Sequence, residues 1–184
     1  SGRCNHIVDF VAVGGTTLTA GSGGSYTSET AWSGSGGGLS AVENEPLYQA
    51  TYPIPNDPNG RRGVPDVAYD GNPNTGFAVY DTVRYQGQSG WFLVGGTSAG
   101  TPQWAALFAI ANSMRATGGK TPLSSTNTAV YDVAKANLSS NFHDITSGTN
   151  GSCGTLCTAA AGYDYVTGLG SPQANNIILA LVNQ

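Results

Sequence analysis

The sequence contains little charge. Asp, Glu, Lys and Arg make up 10% of its 184 residues, against about 25% in an average soluble domain. Lys120 and Lys135 are its only lysines. The formal net charge is −4 and no basic patch is present, so we expect no nucleic-acid partner. Because acid denaturation proceeds largely by titration of paired carboxylates, a chain with few ion pairs is suited to an acidic environment.

Long apolar runs are missing too. No segment approaches the length needed to span a bilayer, so we predict no membrane association. A signal peptide is also missing, and the chain begins at Ser1 without Met. We therefore expect a mature or excised piece of a precursor.

Cysteine is scarce, with three residues in the chain. Cys153 and Cys157 lie four positions apart in a polar loop, a separation that a small disulfide can close. Cys4 is left over, and an odd cysteine in a secreted chain invites a partner elsewhere. His6 and His143 lack zinc-ligand spacing, so we expect both to be surface or structural histidines.

Glycine is abundant, at 27 residues, and its clusters with serine and threonine predict irregular loops. Apolar segments predict strands at 7–13 with a continuation over 16–19, at 64–69, at 77–80 and at 88–94. Helical patterns are predicted near 41–48, from Ser98 to about Gly118, within 126–138 and at 177–182, with a polar loop over 141–170. Strands followed by helices indicate an α/β layered domain with a parallel sheet, of which this chain holds the later portion.

The sharpest local signal is the segment 95–102, Gly-Gly-Thr-Ser-Ala-Gly-Thr-Pro. Its leading glycines predict a tight turn, and Ser98 follows at the start of a long apolar helix that we expect to be buried. Pro102 is tolerated in the first turn of that helix. Helix N–H groups and the positive end of the dipole favour a developing oxyanion, as acyl transfer requires. The segment predicts that Ser98 is a catalytic nucleophile; the alternative is that Ser98 only caps the helix.

This segment resembles the nucleophile motif of the sedolisins, the serine-carboxyl peptidases, which share a fold with the subtilisins. Subtilisins have Met after the nucleophile and Pro-His a few positions on, whereas this chain has Ala99 and Thr101-Pro102-Gln103. Gly95 and Gly100 depart from the sedolisin pattern, which commonly has serine there. The likeness extends in the same order over the blocks 12–18, 29–32, 35–40, 62–68 and 142–172.

The resemblance implies a fold class and a domain organisation. We expect an α/β, subtilisin-like architecture in which a partial parallel sheet is flanked by helices, forming the C-terminal portion of the catalytic domain. Residues 1–184 are predicted to be a single domain. Within it, residues 1–140 would carry the nucleophile and residues 141–172 would form a calcium-binding loop region.

Asp144 and Asp164 lie twenty positions apart, and the backbone of the loop between them can supply carbonyl oxygens. Calcium binds carboxylate and carbonyl oxygens of this kind. Spacing alone would favour two solvated aspartates. In sedolisins, however, this segment binds Ca²⁺ through two Asp side chains and three main-chain carbonyls. The resemblance therefore implies Ca²⁺ ligation by Asp144 and Asp164 and by the carbonyl oxygens of Ile145, Ala160 and Gly162. Ala160 stands where the family commonly has glycine.

Most of the catalytic set that the resemblance implies is missing from the chain. In sedolisins a glutamate takes the serine proton, an aspartate one helical turn away orients it, and a protonated aspartic acid donates to the oxyanion. That chemistry works at low pH, where an imidazole base would be charged. No Glu here has an Asp four positions on, and Asp66 with Asp70 lies in a predicted strand, so we expect Asp66 to be structural. The three remaining groups are expected in the N-terminal portion of the same precursor.

The predicted function is a secreted serine-type endopeptidase that hydrolyses protein or peptide substrates at acidic pH with Ca²⁺ bound. The alternative is a calcium-stabilised peptidase-like module that binds without cleaving, or an inactive fragment. A neutral-pH subtilisin relative using His6 or His143 as base is disfavoured, because neither histidine has the expected setting.

Three further expectations concern side chains outside the motifs. Trp32 and the loop 36–38 either border substrate subsites or pack in the interior. Trp104 is expected within the helix packing. Arg61 and Arg62 are expected to be a solvated pair or a trimming site.

Overall fold

The secondary structure is known for the residues that the computed structural model describes, which are 10–55, 57 and 59–184. In chain order the strands and helices are β1 (Val13–Ala20), β2 (Tyr26–Ala31), β3 (Gly38–Asn44), α1 (Leu47–Ala50), β4 (Arg61–Val64), β5 (Val67–Asp70), β6 (Phe77–Tyr85), β7 (Gln88–Val94), α2 (Thr97–Thr117), α3 (Thr126–Asn141), β8 (Phe142–His143), β9 (Ser171–Pro172) and α4 (Ala174–Val182). Residues 7–9 of the strand predicted at 7–13, together with Cys4 and His6, lie outside the described residues. Residues 10–12 are not in a strand, and β1 begins at Val13 and includes the predicted continuation over 16–19.

A partly parallel sheet positions the later elements. β1 lies between β2 and β5, pairing antiparallel with β2 and parallel with β5. The parallel register runs from Val13 opposite Val67 to Thr16 opposite Asp70. Helix α4 packs against both α2 and α3, and α2 also packs on β1 and β5. The predicted α/β class with a partial parallel sheet is confirmed.

The short helix predicted near 41–48 is wrong over most of its length. Residues 41–44 belong to β3, which pairs antiparallel with β4, and only the single turn of α1 is helical. Pro46 explains the difference, because the residue before a proline is disfavoured in the helical region. Pro46 itself is extended, with φ −75° and ψ 157°, so the helix begins only after it.

Proline also divides the strand predicted at 64–69. β4 ends at Val64 and β5 begins at Val67, with Pro65 between them. A proline has no N–H to give to a strand ladder. The strand predicted at 88–94 is confirmed as β7, and the one at 77–80 extends to Tyr85 in β6.

The long helix predicted from Ser98 is confirmed as α2, but its predicted burial is wrong. Only one face is buried, formed by Gly100, Trp104, Leu107, Ala111 and Arg115 at helical spacing. On the other face Ile110 and Met114 remain 48% and 40% exposed. Apolar residues occur on all sides of α2, but the described residues pack against only one side of the helix.

The two later helices are also confirmed. Ser125 caps α3 by accepting a hydrogen bond from the Thr128 N–H, and α4 follows directly after β9. The segment 141–170 is mostly irregular, as predicted, but it is not a surface loop throughout. Every residue from 163 to 170 is buried.

The core lies between the three long helices and β5. Its fully buried side chains include Trp104, Tyr131, Leu169, Ile177 and Leu181. Trp104 is 1% exposed and its indole N–H donates to the Ala68 carbonyl oxygen at 2.9 Å, which confirms its predicted place in the helix packing. None of the helices formed by the described residues is both long enough and apolar enough to span a bilayer.

The prediction that Arg61 and Arg62 form a solvated pair is wrong for Arg62. Its side chain is fully buried, with Nη2 2.8 Å from Oδ2 of Asp66. Burying a guanidinium without a partner would cost several kcal/mol, so the chain places it against a carboxylate. The sequence gives no local sign of this, because the groups that bury Arg62 come from distant segments.

Candidate functional site

Ser98 is placed by a glycine turn between β7 and α2. Gly96 has φ 99°, a conformation that favours glycine. Its N–H donates to the Gly71 carbonyl oxygen at 2.6 Å, which fixes the turn against the end of β5. At Gly95 a Cβ would lie 2.5 Å from the Pro73 backbone. The departure at Gly95 from the sedolisin pattern therefore has a steric reason in this chain.

Ser98 is the second residue of α2 and does not cap it. The N-cap position belongs to Gly96, and no side chain accepts a capping hydrogen bond there. Ser98 is exposed, and neither its hydroxyl nor its backbone N–H donates a hydrogen bond to a described residue. The first N–H groups of a helix have no acceptor within the helix. An exposed hydroxyl thus lies beside an unsatisfied N–H at the positive end of a 21-residue helix.

Trp32 lies close to the nucleophile turn. A Cβ at Gly15 would lie 2.8 Å from Cε3 of Trp32 and 3.3 Å from Cγ2 of Thr97, so both side chains contact the same point of β1. Trp32 is half-buried, and its backbone N–H donates to the Gly15 carbonyl oxygen at 3.1 Å. This position fits either of the predicted roles, a subsite border or packing support for the turn.

No carboxylate of the described residues forms a hydrogen bond with Ser98. Asp66 is fully buried and accepts hydrogen bonds from Arg62 and Tyr131. Asp70 accepts one from the Thr75 hydroxyl at 2.8 Å. Both carboxylates are thus engaged within the fold, as expected for structural residues.

The two aspartates of the predicted calcium loop accept hydrogen bonds from the same short segment of the chain. The Gly162 N–H donates to both carboxylate oxygens of Asp144, at 3.2 and 3.0 Å. The Ala160 N–H donates to Oδ2 of Asp164 at 3.0 Å. Two carboxylates that are twenty positions apart in sequence therefore contact one five-residue segment, 160–164.

The three predicted carbonyl ligands have oxygens free to bind a cation. The carbonyl oxygens of Ile145, Ala160 and Gly162 accept no hydrogen bond from any described residue. Burial raises the pKa of Asp164, although hydrogen bonds from Ala160, Val166 and Thr167 oppose that shift. Carboxylate and carbonyl oxygens are the kind of ligand that Ca²⁺ takes, so these residues remain the candidate ligands. The described residues, this loop included, contain no cluster of three or more His, Cys, Asp or Glu side chains suited to a metal.

The predicted disulfide is confirmed. Cys153 and Cys157 are bonded, with their Cα atoms 5.2 Å apart. The bridge lies in the excursion between Asp144 and Asp164, where the N–H of Asn150 also donates to the Cys157 carbonyl oxygen. It therefore constrains the same loop that carries the candidate calcium ligands.

Glu29 is a half-buried carboxyl group to which the sequence gave no role. Its carboxyl oxygens accept short hydrogen bonds from the hydroxyls of Thr16 and Ser171. Burial raises the pKa of Glu29, and the nearby Asp70 raises it further. Glu29 lines a cavity of about 120 Å³ together with Tyr26 and His143, whose rings stack at 3.7 Å. The only sequence signal was a single Glu among the small polar residues of β2.

His143 agrees with the expected structural role. Its ring stacks on Tyr26, and burial lowers its pKa. No hydrogen bond joins His143 to Ser98, so within the described residues the chain does not form a serine–histidine pair.

Comparisons with known proteins extend the likeness to nearly the whole of this chain. No protein-family model matches the chain. Over 173 residues it is 33% identical to sedolisin from Pseudomonas sp. (strain 101), covering 89% of this chain and 27% of that protein. It is 35% identical to kumamolisin from Bacillus sp. (strain MN-32), covering 94% of this chain and 31% of the relative. Tripeptidyl-peptidase sed4 from Aspergillus fumigatus is 31% identical over 93% of this chain, again with 31% of the relative covered.

The fold agrees with a solved structure of the same group. The chain superposes on Pseudomonas sedolisin (serine-carboxyl proteinase) complexed with two molecules of pseudo-iodotyrostatin with a TM-score of 0.77 and 32% identity. The match covers 95% of this chain and 46% of the sedolisin chain, so this chain spans less than half of the enzyme that it resembles. Sequence and fold agree, and the chain belongs to the sedolisin family.

Proposed function

We propose that Ser98 is the nucleophile of a serine-type endopeptidase that hydrolyses peptide bonds at acidic pH. The observation that carries the proposal is the position of Ser98, exposed at the start of α2, with an unbonded hydroxyl and with Gly96 rather than Ser98 as the helix cap. The family supports a serine-carboxyl peptidase function. Since the chain covers about a third or less of its relatives' lengths, the activity of the whole protein is part of this proposal.

The proposed reaction begins with Ser98. Its Oγ attacks the carbonyl carbon of the scissile bond while its proton passes to a carboxylate base contributed from upstream of the segment. The carbonyl oxygen becomes an oxyanion, and the Ser98 backbone N–H donates to it at the positive end of α2. Collapse of this intermediate breaks the C–N bond, protonates the leaving amine and leaves an acyl group on Ser98. Water then attacks the ester carbonyl, the bond to the Ser98 Oγ breaks, and the acyl group leaves as a carboxylic acid while the serine hydroxyl is restored.

A carboxylate base suits acidic conditions. Near pH 4 a histidine is protonated and cannot accept the serine proton, whereas a carboxylate with a pKa of about 4 is partly ionised. The upstream partners are expected to be a glutamate, an orienting aspartate and a protonated aspartic acid. The unbonded Ser98 hydroxyl leaves room for such a base to approach.

We propose in addition that the loop 144–164 binds Ca²⁺. Asp144 and Asp164 would supply carboxylate oxygens, and Ile145, Ala160 and Gly162 would supply carbonyl oxygens. Bound Ca²⁺ would offset the negative charge that burial disfavours at Asp164 and hold the ends of the loop together. The ion would lie in the loop and stabilise the fold, while Ser98 carries the chemistry.

We also propose that the protein is secreted. The Cys153–Cys157 disulfide supports this, because such bonds persist mainly in oxidising compartments. Protein or peptide chains are the proposed substrates.

Replacing Ser98 in the full-length protein tests the nucleophile. Ser98→Ala should lower kcat for a peptide substrate by about 10⁵-fold, because loss of the nucleophile removes the acyl-enzyme route. A fluorophosphonate at about pH 4 should add one label to the wild-type protein, detected by intact mass, and none to Ser98→Ala. Ser113→Ala, an exposed serine on the same helix, is the matched control and should label normally. Equal labelling of Ser98→Ala would refute the proposal, and an unlabelled wild-type protein would favour a module that binds without cleaving.

A further inference from the structure

The hairpin before the nucleophile turn stands apart from the rest of the described fold. β6 and β7 pair with each other from Phe77 opposite Val94 to Tyr85 opposite Gln88. Gln86 and Gly87 both have positive φ, 50° and 83°, which is typical of the two-residue turns that match strand twist. Beyond isolated contacts, neither strand packs on another described helix or strand.

Both sides of this hairpin carry apolar residues, and one side is more exposed than the other, where Val79 and Val94 are 42% and 39% exposed. Residues paired across an antiparallel ladder point to the same side of it, so the pairs Ala78–Leu93 and Tyr80–Trp91 share one side. We call these four residues the aromatic face. Tyr80, Trp91 and Leu93 are 61%, 72% and 56% exposed, and the Tyr80 and Trp91 rings meet edge to face at 5.3 Å. Contiguous exposed apolar surface of this kind marks binding surfaces in soluble proteins.

The aromatic face lies close to the nucleophile along the chain. β7 ends at Val94, and only three residues separate it from Ser98. Chain geometry limits the Leu93–Ser98 separation to about 18 Å and the Trp91–Ser98 separation to about 25 Å. An extended peptide advances about 3.3 Å per residue. A substrate attacked at Ser98 can therefore reach the aromatic face with residues about five to eight positions from its scissile bond.

We propose that the aromatic face binds apolar side chains of an extended peptide substrate at a distance from the scissile bond. This rests on the proposed function, and it names the part of the substrate that the hairpin selects. The hairpin carries Asp81 and Arg84, whose charges offset each other, so hydrophobic contact decides the selection. Trp91 and Tyr80 are suited to this role, because large rigid aromatic side chains supply contact area at low entropic cost.

Kinetics with matched peptides on the full-length protein test the proposal. A short peptide spans about four residues around the scissile bond, and a long one extends it by about eight residues on each side, with Leu and Phe at the distant positions. Tyr80→Ala/Trp91→Ala should lower kcat/KM for the long peptide about tenfold more than for the short one. A long peptide with Ser at the distant positions should show no such difference. Val79→Thr, on the opposite side of β6, is the control and should keep the wild-type preference for the long apolar peptide.

The outcomes separate this proposal from the proposed function. If the double variant loses the same factor on both peptides, or loses neither, the aromatic face does not bind substrate. If it lowers both rates together with the melting temperature, the face packs against another part of the protein, and the proposal fails. Ser98→Ala activity equal to wild type would instead refute the proposed nucleophile, whatever the hairpin does.

Discussion

Asp66 joins parts of the chain that lie far apart in sequence. Its Oδ2 accepts hydrogen bonds from the Ala12 N–H and from Nη2 of Arg62, both at 2.8 Å. Its Oδ1 accepts from the Tyr131 hydroxyl at 3.1 Å and from the Gln49 amide at 3.3 Å. A single buried carboxylate thus connects the residue before β1 with β4, α1 and α3. Because Arg62 is its buried counter-ion, this aspartate is best explained as structural.

Removing the charge of Asp66 tests that role. Asp66→Asn should lower the free energy of unfolding by about 3 kcal/mol or more, because it leaves the Arg62 guanidinium buried without a counter-ion. Urea unfolding of the full-length protein measures the change. Asp81→Asn, an exposed aspartate on the hairpin, should stay within about 0.5 kcal/mol of wild type. An equally small effect at both positions would mean that the pair contributes nothing to stability.

At the scale of elements, the loop between β8 and β9 is held together by internal hydrogen bonds and a disulfide. Asp144 and Asp164 hold the same turn through backbone N–H groups, and the Cys153–Cys157 disulfide closes the excursion between them. The end of this loop is buried from residue 163 to 170 and packs in the core near α4. Disorder in the loop would therefore disturb core packing. The thermal stability of the protein is thus the property that should report an ion bound in the loop.

Calcium removal should destabilise the protein if the proposed ligands are right. Saturating Ca²⁺ at about 100 times its Kd adds about 2.7 kcal/mol to stability, so a chelator should lower the melting temperature by several degrees. Asp164→Asn should melt at a lower temperature than wild type in Ca²⁺ and should not respond to the chelator. Asp132→Asn, an exposed aspartate on α3, should respond as wild type does. A melting temperature independent of Ca²⁺ in the wild type would exclude the site.

At the scale of the whole molecule, the protonation of Glu29 affects hydrogen bonds that join segments far apart in sequence. From β2 it accepts hydrogen bonds from Thr16 on β1 and Ser171 on β9. Tyr26, Tyr69, Asp70 and His143 are the other ionisable groups around its cavity. Burial first, and the charge of Asp70 second, raise the pKa of Glu29 above its ordinary value. The folded protein therefore holds the Glu29 proton more tightly than the unfolded chain does.

This sign predicts that the contribution of Glu29 favours the folded state at acidic pH. The stability contributed by Glu29 is complete below its unfolded pKa of about 4.3 and is lost as pH rises through its higher folded pKa. Glu29→Gln, which stays neutral, should therefore gain stability relative to wild type between about pH 4 and pH 7. Melting temperatures of both proteins across that range measure the trend. If the difference between them does not change with pH, Glu29 does not titrate in the folded protein with a raised pKa.

Several features could be predicted from the sequence because near neighbours decide them. The turn at 95–96, the start of α2 and the Cys153–Cys157 bridge depend on residues within a few positions of one another. The family likeness likewise rests on local motifs in a fixed order. The helix predicted at 41–48 was wrong because Pro46, also a local signal, outweighed the apolar pattern.

Other features depended on segments that the chain brings together only when it folds. The burial of Arg62, the one-sided packing of α2 and the hydrogen bonds of Glu29 all come from contacts between residues more than ten positions apart. The convergence of Asp144 and Asp164 on residues 160–164 is also tertiary, and the resemblance, not the spacing, predicted it. The amino-acid sequence determined where a serine could start a helix behind a glycine turn. Only the tertiary structure decided that its hydroxyl is exposed and unbonded, because that depends on which distant surfaces pack around it.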